Sequence, residues 1–184
     1  MKKIFYSLAF GALLILAGCN GNQNKPILGT QDSAKVEADV NDSTVYGLVG
    51  EGSAMHTLQL ITDEGDTLDY TINAEGMNPV MGGILVGDRM AVVGRKAYGE
   101  LFADRAINLT SLIGKWTSID KNFEIQEGGV VMSSVKAEQN PWTSWKIVNG
   151  HLVLNKDTFD IDNLGADSLD LENKEGIFTY KRVK

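Results

Sequence analysis

The chain has 184 residues, 43% of them hydrophobic, with 17 Lys and Arg against 24 Asp and Glu, a net charge of −7 at pH 7. That length holds one medium domain or two small ones, and an acidic surface repels phosphate backbones, which sets nucleic-acid binding aside. The single cysteine leaves no disulfide and no thiolate metal site, so the fold must rest on an apolar core.

Residues 1–18 open the chain with two lysines, Lys2 and Lys3, then an apolar run from Ile4 to Ala17 that ends in Leu16-Ala17-Gly18-Cys19. A basic start, a short apolar middle and a small-residue end form the layout of a secretory signal peptide. A spanning helix needs roughly 18 to 20 apolar residues, and this run is shorter and meets polar Asn20-Gly21-Asn22 at once. Leu-Ala-Gly-Cys also resembles the lipobox of bacterial lipoproteins. The resemblance implies diacylglycerol on the Cys19 sulfur, cleavage after Gly18, acylation of the new amino terminus and a stable membrane anchor. It places the protein in the cell envelope of a Gram-negative-type bacterium. In some such lineages acidic residues just after the lipidated cysteine direct surface export. Asn20 to Asn24 contains none, which implies an outer-membrane anchor facing the periplasm. Losing the leader also removes Lys2 and Lys3, so the net charge moves from −7 to −9 and polybasic docking to lipid is set aside.

Residues 19–42 are rich in Asn, Gly, Gln, Asp and Lys and include Pro26, the composition of a tether. As a flexible coil, roughly 22 residues span on the order of 25 Å r.m.s.. Val36 and Val40 stand at helical spacing and predict at most one short turn.

Everything after the tether reads as all-β, two small antiparallel barrels. Residues 43–110 predict strands at Thr44–Val49, Thr57–Thr62, Thr67–Ile72, Arg89–Val93 and Leu101–Leu109, with a turn at Asp63-Glu64-Gly65-Asp66. Between the third and fourth strands lies an insertion, 73–87. Its Met77, Pro79, Val80 and Met81 predict an apolar loop that covers the barrel or, with its methionines, offers a contact surface. Five short strands with that insertion match the layout of an OB-fold, and a different five-stranded barrel would read much the same.

Residues 111–184 predict about eight strands: Lys115–Ile119, Phe123–Gln126, Val130–Val135, Thr143–Val148, Leu152–Asn155, Phe159–Asn163, Ser168–Glu172 and Ile177–Arg182. Asn149-Gly150 is the strongest hairpin signal in the chain. Apolar residues alternate along these strands, as in Trp145 and Ile147 or Leu169 and Leu171, so each strand buries one face. Hairpin-linked strands of this kind predict an up-and-down meander that closes on itself.

Gly114-Lys115-Trp116 at the start of that meander resembles the Gly-x-Trp opening of the lipocalin superfamily. The resemblance implies that Trp116 packs at the closed end of the barrel beneath an arginine of the last strand, the position held here by Arg182. The run Phe159-Asp160-Ile161-Asp162-Asn163-Leu164, followed by Asp167-Ser168-Leu169, is similar to short lipocalin-like domains of envelope lipoproteins. The likeness covers about residues 112–184 and implies small-ligand binding in a cup. A full lipocalin is about twice as long. Eight-stranded barrels are just wide enough to be filled by side chains or to hold one small ligand, so both outcomes are open.

Residues that could carry chemistry are few. His56 and His151 stand alone near turns, where they read as exposed rather than as ligands or bases. Asp160-Ile161-Asp162-Asn163-Leu164-Gly165 resembles a calcium loop only in part. Leu164 and Leu171 occupy two positions that would need oxygen donors, so a solvated hairpin edge is expected. Trp142, out of phase with Trp145 and Ile147, is either an exposed anchor for a partner or a cap on the barrel end. No nucleophile and base can be paired. The expectation is a non-enzymatic protein with no cofactor and no metal: a lipid-anchored interaction module whose partner is an envelope protein, or a carrier or sensor of a small apolar ligand.

Lipidation is checked directly. Cys19→Ser is expected to abolish incorporation of labelled palmitate, and unchanged labelling contradicts the anchor.

Overall fold

Short segments of alternating apolar and polar residues can bury one face only by pairing side by side, and the chain solves this twice. The computed structural model describes residues 42–72, 78–134 and 140–184. The leader, Cys19, Val36, Val40 and Met77 lie outside the described residues.

The first sheet holds β1 (Val45–Val49), β2 (Thr57–Thr62), β3 (Thr67–Thr71), β4 (Val80–Met81), β5 (Arg89–Ala97) and β6 (Glu100–Asn108). β1 pairs antiparallel with β2 and with β5, β2 with β3, and β5 with β6. A parallel pairing of Tyr70 with Leu101 and Thr71 with Phe102 joins β3 to β6 and closes the ring. Leu58, Leu60, Met90, Val92 and Ala106 fill its interior.

Two expectations are corrected in this sheet. Val80 and Met81 form not a covering loop but a two-residue strand, parallel to Ala106 and Ile107. The reason is the edge of β6: β3 uses it only at Leu101 and Phe102, and β4 completes it further along. β5 runs on to Ala97 instead of ending at Val93. A bulge between Val93 and Gly94 restores register, and the hairpin closes through Tyr98 and Gly99, both with positive φ (54° and 88°).

A single helical turn, α1 (Leu109–Leu112), links the sheets. The Asn108 side chain caps it by accepting from the Ser111 amide at 2.8 Å. The second sheet comprises β7 (Gly114–Thr117), β8 (Asn122–Gln126), β9 (Val130–Ser133), β10 (Trp145–Val148), β11 (His151–Leu154), β12 (Asp157–Leu164), β13 (Ser168–Asn173) and β14 (Gly176–Arg182). Its order is β10-β11-β12-β13-β14-β7-β8-β9, a meander whose first and last strands pair. Across the seam between β9 and β10 there is only an isolated bridge, Val130 with Ser144, and a bond from the Val131 amide to the Thr143 carbonyl at 3.0 Å. Asn149 and Gly150 make the expected tight turn, with φ of 48° and 78°. The barrel is lined by its own side chains, among them Trp116, Ile125, Leu154, Ile161 and Leu169, all fully buried.

Gly114, Trp116 and Arg182 form one unit. Trp116 and Arg182 are register partners across β7 and β14, and the guanidinium carbon lies 4.2 Å from the centroid of the indole, which is 0% exposed. Arg182 also donates from Nε to the Ala166 carbonyl at 2.7 Å, from Nη1 to Ile113 at 2.9 Å, and from Nη2 to Ser111. The indole Nε1 donates to the Leu112 carbonyl at 2.9 Å. Gly114 has φ of 144°, and a Cβ there would overlap Arg182 Nη1. A cation over an indole contributes about 0.5–2 kcal/mol.

Both barrels lie within one compact unit and share apolar surface. Ala91 and Ile107, which point out of the first barrel, belong to the core of the second, with Tyr46 and Met81 packed beside them. Polar contacts surround this patch. Arg105 reaches Asp160 at 2.7 Å and the Ile161 carbonyl at 2.9 Å, and Tyr46 Oη donates to the Ile147 carbonyl at 2.8 Å. Asp42 accepts from the Asn149 amide at 3.0 Å, and the Ser43 amide donates to Asn149 Oδ1 at 2.9 Å.

Two sets of predictions follow from these contacts. In urea denaturation, Gly114→Ala is expected to cost about 1–3 kcal/mol and Arg182→Ala about 2–4 kcal/mol. Because the added methyl meets Arg182 itself, the double variant should fall short of the sum by about 0.5 kcal/mol or more, whereas additivity contradicts the contact. The second set concerns pH. Burial tends to raise the Asp42 carboxyl, but hydrogen bonds from Thr44 and the Asn149 amide prevail and hold it below the ordinary 3.8. The Arg89 guanidinium, bonded at 2.9 and 2.6 Å, holds Asp63 below that value too. Their contribution is present above pH 3.8 and is lost as pH falls through the lowered values. Burial, then the Asp42 charge, pushes the Tyr46 phenol up to about 12 from 10.0. Its contribution is present below pH 10 and is lost toward pH 12, and Tyr46→Phe should flatten that alkaline fall.

Candidate functional site

In an antiparallel meander successive turns alternate between the two ends of the barrel. The turns after β8, β10 and β12 lie at one end, and that end meets the first barrel through Asn149, Gly150 and Leu164. A Cβ on Gly150 would come within 2.9 Å of Arg105, and one on Gly82 within 2.9 Å of Leu164. The turns after β7, β11 and β13 lie at the other end, and there the barrel opens.

A pocket of about 560 Å³ occupies that mouth. Its floor is aromatic: Trp142, Phe159, Phe178 and Tyr180. Phe123 contacts Trp142 and Tyr180 edge-on at 5.1 and 5.0 Å, while Phe159 contacts Trp142 at 5.7 Å and Phe178 at 6.2 Å. Such edge-to-face pairs contribute about 0.5–1.5 kcal/mol each beyond burial and hold the rings in fixed planes. The rim carries Lys121, Lys156 and Lys174 against Asp157 and Glu175. Three ammonium groups crowd one opening of a molecule whose net charge is −7. The Lys121 ammonium lies 4.0 Å from the centroid of the Trp142 ring.

Of the two readings of Trp142, the structure favours the cap on the barrel end over the exposed anchor. Trp142 is 6% exposed, and it sits in the barrel core because the chain enters β10 across the open end, which turns the indole down onto Phe123 and Phe159. It keeps a face on the pocket. Met81 is half-buried against the second core, at the junction and away from the mouth. The structure thus brings Trp142 to the mouth, sets Gly114, Trp116, Arg182 and Met81 at the junction, and does not describe Met77 or Cys19.

His56 is exposed in the turn before β2. His151 is not an isolated turn residue: it begins β11, and its Nδ1 lies 2.8 Å from Asp160. Asp160 is already bonded to Arg105, so the acidic run 160–165 is tied into β12 and the junction. Among the described residues no group of three or more His, Cys, Asp or Glu is placed to hold a metal.

Reading the sequence passed over Lys121, Lys156, Lys174, Phe178 and Tyr180 as functional residues. Each looked like ordinary turn or strand chemistry. The available signal was positional: lysines in three turns that a meander must bring to one end.

Comparison with known proteins gives one positive finding. No curated protein and no solved structure matches the chain. Residues 108–183 match a family model described as lipocalin-like. The chain is therefore an all-β protein with two barrel-like sheets, the C-terminal one a lipocalin-like domain.

Proposed function

We propose that this protein is a non-catalytic, lipid-anchored envelope module whose C-terminal barrel takes a small apolar ligand with an anionic end. The observation that carries the reading is the mouth pocket, with its aromatic floor and lysine rim. Its volume of about 560 Å³ lies within the range of small-molecule sites. Aromatic rings supply apolar area, and the lysines supply charge at the opening, so an amphiphile fits tail-down. The packed interior below Trp142 limits the ligand to the mouth and argues against a deep calyx.

The first barrel acts in this reading as the platform that seals the opposite end. Its circuit β1-β2-β3-β6-β5, with the single parallel pair between β3 and β6, supports the OB-like reading. Cys19 supplies the anchor, and the acidic surface keeps the barrels off anionic headgroups.

Native mass spectrometry on the protein exposed to envelope extract tests this. The expected result is an added mass of a few hundred daltons on the native chain. Phe178→Arg, which places a charge in the floor, should remove it. Lys121→Met should weaken quenching of tryptophan fluorescence by dodecanoate roughly five- to tenfold, the loss of one charge-assisted contact. A bare protein that dodecanoate does not quench contradicts the reading.

A further inference from the structure

β11 and β12 are joined by a two-residue turn, Asn155-Lys156, and Asn155 takes a φ of 55° there. Glycine adopts that region at no steric cost and would serve the turn as well. What asparagine adds is a carboxamide, and the carboxamide is directed at the segment that carries Trp142.

Asn155 Oδ1 accepts from the Thr143 amide at 2.8 Å and the Ser144 amide at 3.1 Å, with their hydroxyls at 3.2 and 3.4 Å. Asn155 Nδ2 donates to the Pro141 carbonyl at 3.1 Å. The Asn155 amide donates to the Ser144 carbonyl at 3.0 Å, one step beyond the ladder pair of Trp145 with Leu154.

The Pro141 carbonyl belongs to the peptide group before Trp142, and the Thr143 amide belongs to the one after it. Peptide groups are planar, so a side chain that grips both restrains the two torsions between them, φ and ψ of Trp142. Those torsions aim the indole. On its other side the segment is held to β9, where the Thr143 carbonyl accepts from the Val131 amide at 3.0 Å. Held so, the indole meets Phe123 edge-on at 5.1 Å and Phe159 at 5.7 Å and forms part of the pocket floor. The grip needs an acceptor and a donor on one short planar group. Ionised aspartate supplies acceptors only, and glycine supplies neither.

The same turn sets the rim. Lys156, its second residue, lines the mouth pocket together with Asp157, Thr158 and Phe159, whereas Asn155 itself does not. Taking the mouth as the ligand site proposed above, on which this rests, we infer that Asn155 is its positioning residue. From outside the pocket it aims Trp142 into the floor and, through its turn, Lys156 onto the rim. A floor in place before the ligand arrives spares binding the cost of ordering it.

Asn155→Gly on the full chain separates side chain from backbone, since glycine keeps the positive φ. Without ligand, the Trp142 indole N–H resonance is expected to shift or broaden. Those of Trp116 and Trp145, bonded to the Leu112 and Gln126 carbonyls, should stay. Calorimetry should then show dodecanoate binding roughly three- to tenfold weaker than in the native chain. Asn155→Asp keeps the acceptor for Thr143 and Ser144 and loses the donor for Pro141. Its Trp142 resonance should fall between the native and glycine positions, and it decides the matter if the glycine variant does not fold. A Trp142 resonance at its native position in Asn155→Gly, or native affinity despite a displaced resonance, overturns the inference and leaves the ligand reading intact. Equal movement of all three indole signals marks a general loosening of the barrel and overturns it as well. A native chain that does not bind dodecanoate removes the ligand, and with it the role of Asn155, even where the resonance moves.

Discussion

Arg182 closes the second barrel at one end. Its guanidinium covers the buried indole of Trp116 and donates to three backbone carbonyls, those of Ala166, Ile113 and Ser111. Those carbonyls belong to the β12–β13 turn, the start of β7 and the linking helix α1. One planar cation therefore ties the last strand to the first and ties both to the segment that joins the barrels. Gly114 is what lets it lie so close. The pairing it anchors is also short, since β7 has only four residues. A barrel clamped firmly at one end and left unzipped beyond Thr117 has its openings at the other end.

The two ends of the second barrel consequently do different work. One meets the first barrel over an apolar patch, Ala91, Ile107 and Met81, ringed by Arg105, Asp160, Asp42 and Asn149. Apolar contact fixes the two barrels against each other, and the charged ring sets orientation. The other end carries the aromatic cluster that packs the mouth of the barrel, with Lys121, Lys156 and Lys174 set beside Asp157 and Glu175 at its rim.

Most of the strands were legible because each buries a single face and alternates cleanly, as Leu152 and Leu154 or Leu169 and Leu171 do. Legibility failed where that condition failed. Arg95 and Lys96 are polar and exposed, so β5 read as ending at Val93, although the ladder to β6 carries on through them. Met90-Ala91-Val92 is buried on both faces because the second barrel covers the outside of the first, and a continuous apolar run does not say what covers it. Val80 and Met81 are too few to show a period and pair only because β6 has an edge to offer. Of the site, Trp142 stood out in the sequence for being out of phase, but its direction depended on packing against Phe123 and Phe159. The lysine rim was illegible one residue at a time, since it exists only once three separate turns share an end.

The central claim is that one end of the second barrel is sealed by the first and the other receives a ligand. Mapping backbone amide shifts by nuclear magnetic resonance during a dodecanoate titration tests it most directly. The account predicts that the largest changes fall at Lys121, at the turns 155–156 and 174–175, and at Phe178, while Asn149, Gly150 and Arg105 stay still. Changes centred on Asn149, Gly150 and Arg105, or none anywhere in the barrel, would contradict it.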